Sequence, residues 1–234
     1  MRVFWLVALC ASTLAACSSG STVGTTAPPA VVLTGTNVNP DGVAYPSPAG
    51  GYGHNARVGG TPGSVIQNFK FYGYPNGDMS QGLQTISLAD YYDPCSKRYA
   101  LLRISVAAVW CVPCNEETAA LVADEATLAN ERVVVIQALG DGPTMGTGAT
   151  SMDLTTWVTK YKPTFTEMLD PNLVNLGSFF DASAIPWNCD IDPRTMEILQ
   201  AATGWSGDLN SDLAGPLSDA TPTKPGYPIA VTCN

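Results

Sequence analysis

Two cysteines separated by two residues, Cys111 and Cys114, lie in the segment Val109-Trp110-Cys111-Val112-Pro113-Cys114-Asn115-Glu116-Glu117. Three chemistries use such a pair: dithiol–disulfide exchange, half of a zinc site, or a structural crosslink. Zinc needs two further ligands at suitable spacing. No second C-x-x-C exists, and the single histidine, His54, lies far upstream in the Gly-rich stretch GGYGHN, where it reads as solvated. No metal and no other cofactor is expected. A structural bridge stays open, because exported proteins carry them.

Position favours exchange. The pair falls where an apolar, β-branched run (residues 98–110) meets an Ala/Leu/Glu-rich run at helical spacing (residues 114–131). That pattern predicts a buried strand feeding a helix. Free N–H groups and the helix dipole stabilise an anion at a helix start. A cysteine placed there becomes a thiolate more readily, and the thiolate is the attacking species. Pro113 suits an early helix position, where its missing N–H costs nothing. Cys111 is therefore the candidate attacking thiol, and Cys114, one turn on, the candidate resolving thiol.

The elements that must hold this pair are legible as an alternation. Strands are expected over residues 68–74, 98–110, 132–140, 164–169, 187–192 and 195–203. A strand end running into a short helix is expected over 86–92. Helices are expected over 114–131, 151–162, 172–180 and 209–217. Strands alternating with helices and closing on a hairpin predict a central mixed sheet with helices on both faces.

The chain start has its own grammar. Arg2 precedes an apolar stretch of about a dozen residues, too short to span a bilayer, which ends in Leu14-Ala15-Ala16-Cys17. This end resembles the lipobox of bacterial lipoproteins. The resemblance implies a signal peptide over 1–16, cleavage before Cys17 and a lipid on Cys17; a plain secretory signal is the alternative. Residues 17–63, rich in Gly, Pro, Ser and Thr, read as a flexible tether. The folded domain with its C-terminal extension is expected over 64–234. A net charge of −9 argues against nucleic-acid partners and against basic-patch docking on anionic lipid.

The segment SVAAVWCVPCNEE (residues 105–117) resembles the active site of thioredoxin-like proteins. It is most similar to the membrane-tethered thiol-disulfide reductases of the TlpA/ResA type. The segment AIPWNCDIDPRTMEIL (residues 184–199) is similar to that family's cis-proline loop and last hairpin. The resemblance, over roughly 64–204, implies a thioredoxin-like α/β fold. It implies substrate binding by Trp110, Ile185 and Pro186, with a cis Ile185–Pro186 bond. It places an acid at Glu117, one turn past Cys114, where the carboxylate either shuttles the Cys114 proton or is a solvated helix acid. Two departures stand out. Ser105 occupies the strand position where thioredoxins carry a buried aspartate, and Arg103 interrupts the apolar run with no role assigned.

Val112 and Pro113 offer a thiolate little stabilisation, and a nearby glutamate opposes a second negative charge. Both favour a reductant over an oxidant. The implied activity is reduction of protein disulfides outside the cytoplasm, with electrons from a membrane-bound donor and membrane attachment through the lipid. The cell envelope is the expected location, with the outer membrane or periplasmic face favoured because Ser18 follows Cys17. The alternative is a non-catalytic surface module with a permanently oxidised pair. Of the remaining cysteines, Cys189 lies on the alternating face of Trp187 and Ile191. Cys95 and Cys233 are the expected structural bridge, Cys233 being in a tail free to reach back.

Overall fold

The computed structural model describes residues 31–46, 53–179, 184–221, 226, 228–229 and 231–233. The expected signal peptide and the lipid site Cys17 lie outside the described residues.

Seven strands form one mixed sheet: β1 (Lys70–Tyr74), β2 (Gln84–Ser87), β3 (Leu101–Ala108), β4 (Val133–Asp141), β5 (Thr166–Leu169), β6 (Trp187–Asp192) and β7 (Glu197–Thr203). Their order is β2-β1-β5-β4-β3-β6-β7. β3 runs parallel to β4, and β4 to β5, while β6 and β7 close the sheet as an antiparallel hairpin. All eight residues of β3 are buried, the pattern of a strand covered on both faces.

The α-helices gather on one face. These are α1 (Val112–Ala123), α2 (Glu125–Asn130), α3 (Ser151–Tyr161) and α4 (Leu209–Asp219). Leu154, Trp157 and Val158 of α3 pack with Cys111, Cys114, Ala107 and Leu139. Leu121, Leu209 and Leu213 pack with Leu101, Val135 and Leu199. The opposite face carries the larger apolar cluster, including Phe69, Tyr91, Tyr92, Ile104, Ile136, Leu176, Trp187 and Ile191. Among the described residues only short 3-10 turns and irregular chain cover it, so the helices expected on both faces stand on one.

Three further expectations need correction. The helix expected over 114–131 breaks at Asp124, whose φ of −100° and ψ of 7° separate α1 from α2. The helix expected over 172–180 is instead two 3-10 turns, Pro171–Leu173 and Leu176–Ser178. Asn172 and Leu173 take positive φ, and the Asp170 carboxylate captures the N–H groups of Asn175 and Leu176. A side-chain acceptor thus competes with helical bonding.

The third concerns the tether. Residues 31–46 and 53–63 lie against the domain as a strap. Val31, Leu33, Val43 and Tyr45 pack on the large cluster. The backbone and hydroxyl of Thr34 both donate to Asp90 at 2.6 Å. Buried Asn39 donates to the Tyr92 carbonyl at 3.0 Å. Arg57 ion-pairs with Asp192 at 2.8 Å and Glu197 at 2.6 Å, with its side chain 4% exposed. Composition alone predicts coil here; a few spaced apolar residues and one arginine fix the chain instead. His54 is exposed, with its ring 5.9 Å from that of Phe179.

Candidate active site

β3 ends at Ala108, and after two turn residues the chain enters α1 with Cys111 as its N-cap. The sulfur of Cys111 accepts the backbone N–H of Cys114 at 3.2 Å. Asn115 reinforces the turn, donating to the carbonyls of Cys111 at 2.7 Å and Val109 at 3.3 Å. Its Oδ1 accepts in turn from Lys160 at 2.7 Å and from the Tyr161 hydroxyl. Pro113 stands at the second helical position. Cys111 and Cys114 are joined as a disulfide. Cys114 is fully buried and Cys111 is 2% exposed, whereas Val112 between them is 67% exposed.

The Ile185–Pro186 bond is cis. The carbonyl oxygen of Ile185 lies 3.7 Å from the Cys111 sulfur. The Pro186 carbonyl accepts the Gly204 N–H at 2.6 Å, which ties the loop to the end of β7. Half-buried Trp110 donates its indole N–H to Asp141, at the end of β4, at 3.2 Å. The same oxygen accepts the Gly146 N–H at 2.8 Å. Trp110, Cys111, Cys114, Ile185 and Pro186, which sequence reasoning grouped, therefore converge.

Glu117 is not a solvated acid. It is fully buried on α1. Its Oε1 accepts from Asn188 Nδ2 at 2.6 Å, and its Oε2 accepts from the Ser105 hydroxyl at 3.4 Å. Burial pushes its carboxyl up to about 7, against the pull of Asn188, Arg103 and Ser105. Ser105 itself accepts from Gln137 at 3.3 Å, and Gln137 accepts from Thr118 at 3.1 Å and Trp157 at 2.9 Å. Ser105, Gln137 and Asn188 are aligned across β3, β4 and β6 by strand register. A polar row thus crosses the sheet beneath the dithiol.

Arg103 now has a partner. It pairs with Asp190 directly opposite on β6 through two parallel bonds, each 2.8 Å. The apolar run made Arg103 visible as an oddity, but its partner lies 87 residues away. Asn115, Asp141, Asn188 and Asp190 were likewise missed: three of them lie inside the two matching segments, but their partners lie on other elements. Acidic and amide residues within the strand segment WNCDID were the available signal.

Elsewhere, Cys95 and Cys233 form the expected bridge, tying the tail to the loop before β3. Cys189 is a free, fully buried thiol of the large cluster. Among the described residues no cluster of three or more His, Cys, Asp or Glu could hold a metal ion, and no helix is long and apolar enough to cross a membrane.

No family model matches the sequence, and no curated protein matches it. Solved structures do match. A DsbF homologue from Corynebacterium diphtheriae is 16% identical with a TM-score of 0.52, over 75% of this chain and 98% of that one. A protein assigned as thiol:disulfide interchange protein DsbE from Chlorobium tepidum is 18% identical with a TM-score of 0.52, over 68% and 96%. A secreted thiol-disulfide isomerase from Corynebacterium glutamicum is 18% identical with a TM-score of 0.50, over 67% and 87%. These likenesses, with the mixed sheet and the disulfide at the start of α1, establish that the chain has a thioredoxin-like fold.

Proposed function

We propose that the protein is a thiol-disulfide oxidoreductase that reduces protein disulfides outside the cytoplasm. The observation that carries this reading is the Cys111–Cys114 disulfide at the start of α1, with the Ile185 carbonyl 3.7 Å from the Cys111 sulfur. Buried Glu117 one turn below supports it.

In the reduced protein the Cys111 thiolate attacks one sulfur of the substrate disulfide. That S–S bond breaks, a mixed disulfide forms, and the departing substrate thiolate takes a proton. Glu117 then accepts the Cys114 proton. The Cys114 thiolate attacks Cys111, the mixed disulfide breaks, and the second substrate sulfur leaves as a thiolate that takes a proton from solvent. Two electrons have passed to the substrate, and the protein is left oxidised. Trp110, exposed Val112 and the Ile185–Pro186 loop form the substrate contact. Regeneration needs two electrons from a membrane-bound dithiol donor. A lipid on Cys17 would hold the protein at the cell envelope, on the outer-membrane or periplasmic side. The secreted neighbour named above supports this location by likeness alone.

Burial of Cys111 at 2% exposure favours one other reading, a permanently oxidised binding module. The reduction potential separates the two. The pair is equilibrated with glutathione and its free thiols trapped, with Cys111→Ser as control. A value near the thioredoxin range of about −270 mV supports the reductase. A value near about −120 mV reverses its direction, and a pair that never reduces leaves the binding module.

A further inference from the structure

Glu117 faces a problem that its burial creates. It must give up each proton it takes from Cys114, yet it has no exposed surface. The dithiol face cannot serve, because a docked substrate covers it during the step in which the proton moves. The fold supplies another side. A cleft of about 320 Å³ opens between β7, the Gly204–Ser206 turn and α4. Ala202, Trp205, Ser206 and Asp212 line its walls, and Arg103 and Asn188 lie at its buried end.

Two observations and one chemical property tie this cleft to the acid. Asn188 belongs to both, since it lines the cleft and donates to Glu117 at 2.6 Å. The two residues at the buried end each carry a polar atom without a partner among the described residues, Asn188 Oδ1 and Arg103 Nη1. Such atoms are costly unless water reaches them. An asparagine also suits both states of a carboxyl group. Its Nδ2 donates to the carboxylate, and after the amide turns, its Oδ1 accepts from the acid.

We propose that this cleft is the proton port of the dithiol: Glu117 exchanges its proton with solvent through Asn188 and cleft water, on the α4 side of the sheet. The proton leaves Cys114, binds a Glu117 oxygen, and passes to a water molecule beside Asn188. Asp212 at the wall attracts the resulting positive charge and guides it outward. The same path run backwards reloads the acid when the dithiol is regenerated. Asn188 is a positioning residue, since it acts through Glu117. The port rests on the reading of Glu117 as the acceptor of the Cys114 proton.

A port changes rates without changing the equilibrium. The test is stopped-flow exchange between the full-length protein and a small aromatic disulfide, run in both directions, in H₂O and D₂O. Two substitutions plug the cleft without touching the acid, Ala202→Leu and Ser206→Trp. We expect either to slow both directions by up to about a hundredfold, the low end of what a positioned proton transfer contributes. The ratio of the two rates, and so the reduction potential, stays constant, and the solvent isotope effect rises. Rates at the wild-type level in both plugged variants, with Glu117→Gln slow, overturn the port and leave the acid's role standing. A rate loss accompanied by a shifted potential overturns it too. A Glu117→Gln protein at the wild-type rate removes the proton role of Glu117 itself, and the port with it.

Discussion

Alternate positions of one strand, Asn188, Asp190 and Asp192 of β6, serve two buried polar clusters of different kinds. At the end of the strand Asp192 receives Arg57 at 2.8 Å and Arg194 at 2.6 Å, with Glu197 beside it on the same Arg57. Arg194 also donates its backbone N–H to Asp192, and Gly63 donates to Glu197. Carboxylates held by so many charged donors are locked. Earlier on the same strand, Asp190 holds Arg103 and Asn188 holds Glu117, but Arg103 Nη1 and Asn188 Oδ1 stay unpartnered among the described residues, beside a cleft. A saturated cluster fixes geometry. An under-satisfied cluster leaves a carboxyl free to change protonation.

The largest test removes one arginine from each cluster. Arg57→Ala removes the buried guanidinium that Asp192 and Glu197 share, and we expect a loss of about 3–5 kcal/mol, read from the denaturation midpoint. The strap should become protease-sensitive while the reduction potential stays fixed. Arg103→Met strands Asp190 and should cost a similar amount. It also removes a positive charge that lowers the Glu117 carboxyl, which already faces Asp212 and, through Arg103, Asp190. The pH profile of disulfide exchange should therefore move to higher pH in this variant and stay put in Arg57→Ala. A shift in both, or in neither, would erase the distinction between the clusters.

The second test concerns stability against pH. Glu117 is raised from 4.5 to about 7 in the folded protein, chiefly by burial. Between those values the folded chain keeps a proton that the unfolded chain releases. Stability therefore falls as pH rises across that window. Glu117→Gln should remove this group's share of the slope, while buried Glu167, which burial also holds well above the usual carboxylate range, keeps its own. Above pH 7 it should be more stable than wild type by up to about 3 kcal/mol, because each pH unit of that window is worth about 1.4 kcal/mol. Chemical denaturation at pH 5 and pH 8 measures it. The same variant should lose about a hundredfold in the resolving step. Gain of stability with loss of rate marks the functional cluster; Arg57 variants should show no such exchange.

The contrast also explains what could be read from the sequence. The dithiol, the strand before it, the helix after it and the cis-proline step are local in sequence. Their signals are contiguous: an apolar run, a cap position, a proline. The Arg103–Asp190 pair spans 87 residues and the Arg57–Glu197 pair 140. Pairing of that kind is set by strand register, which no local pattern encodes. Arg103 showed as an anomaly because β3 is otherwise apolar. Arg57 showed as nothing, because its surroundings are Gly-rich and composition favoured coil. The strap was misread for that reason: a minority of anchoring residues outweighed the average character of the segment. Glu117 was half legible. Its spacing from Cys114 was visible, but its burial depends on Asn188 and on α4 packing over the hairpin.

The smallest effect lies between the clusters and the substrate. Trp110 is held by Asp141, which also accepts the Gly146 N–H and so fixes the loop after β4. Asp141→Ala removes two hydrogen bonds at a partly exposed site. We expect a loss of about 1 kcal/mol in stability. The indole should gain freedom, seen as a changed Trp fluorescence anisotropy. Because Trp110 is assigned to substrate contact, KM for a protein disulfide should rise by about fivefold, the equivalent of about 1 kcal/mol. The rate with a small aromatic disulfide should hold, since neither thiol nor Glu117 has moved. A variant equally slow with both substrates would place Asp141 with the Glu117 cluster, acting on the dithiol itself. Unchanged KM with a loosened indole would remove Trp110 from the docking surface and leave Val112 and the Ile185–Pro186 loop to carry it.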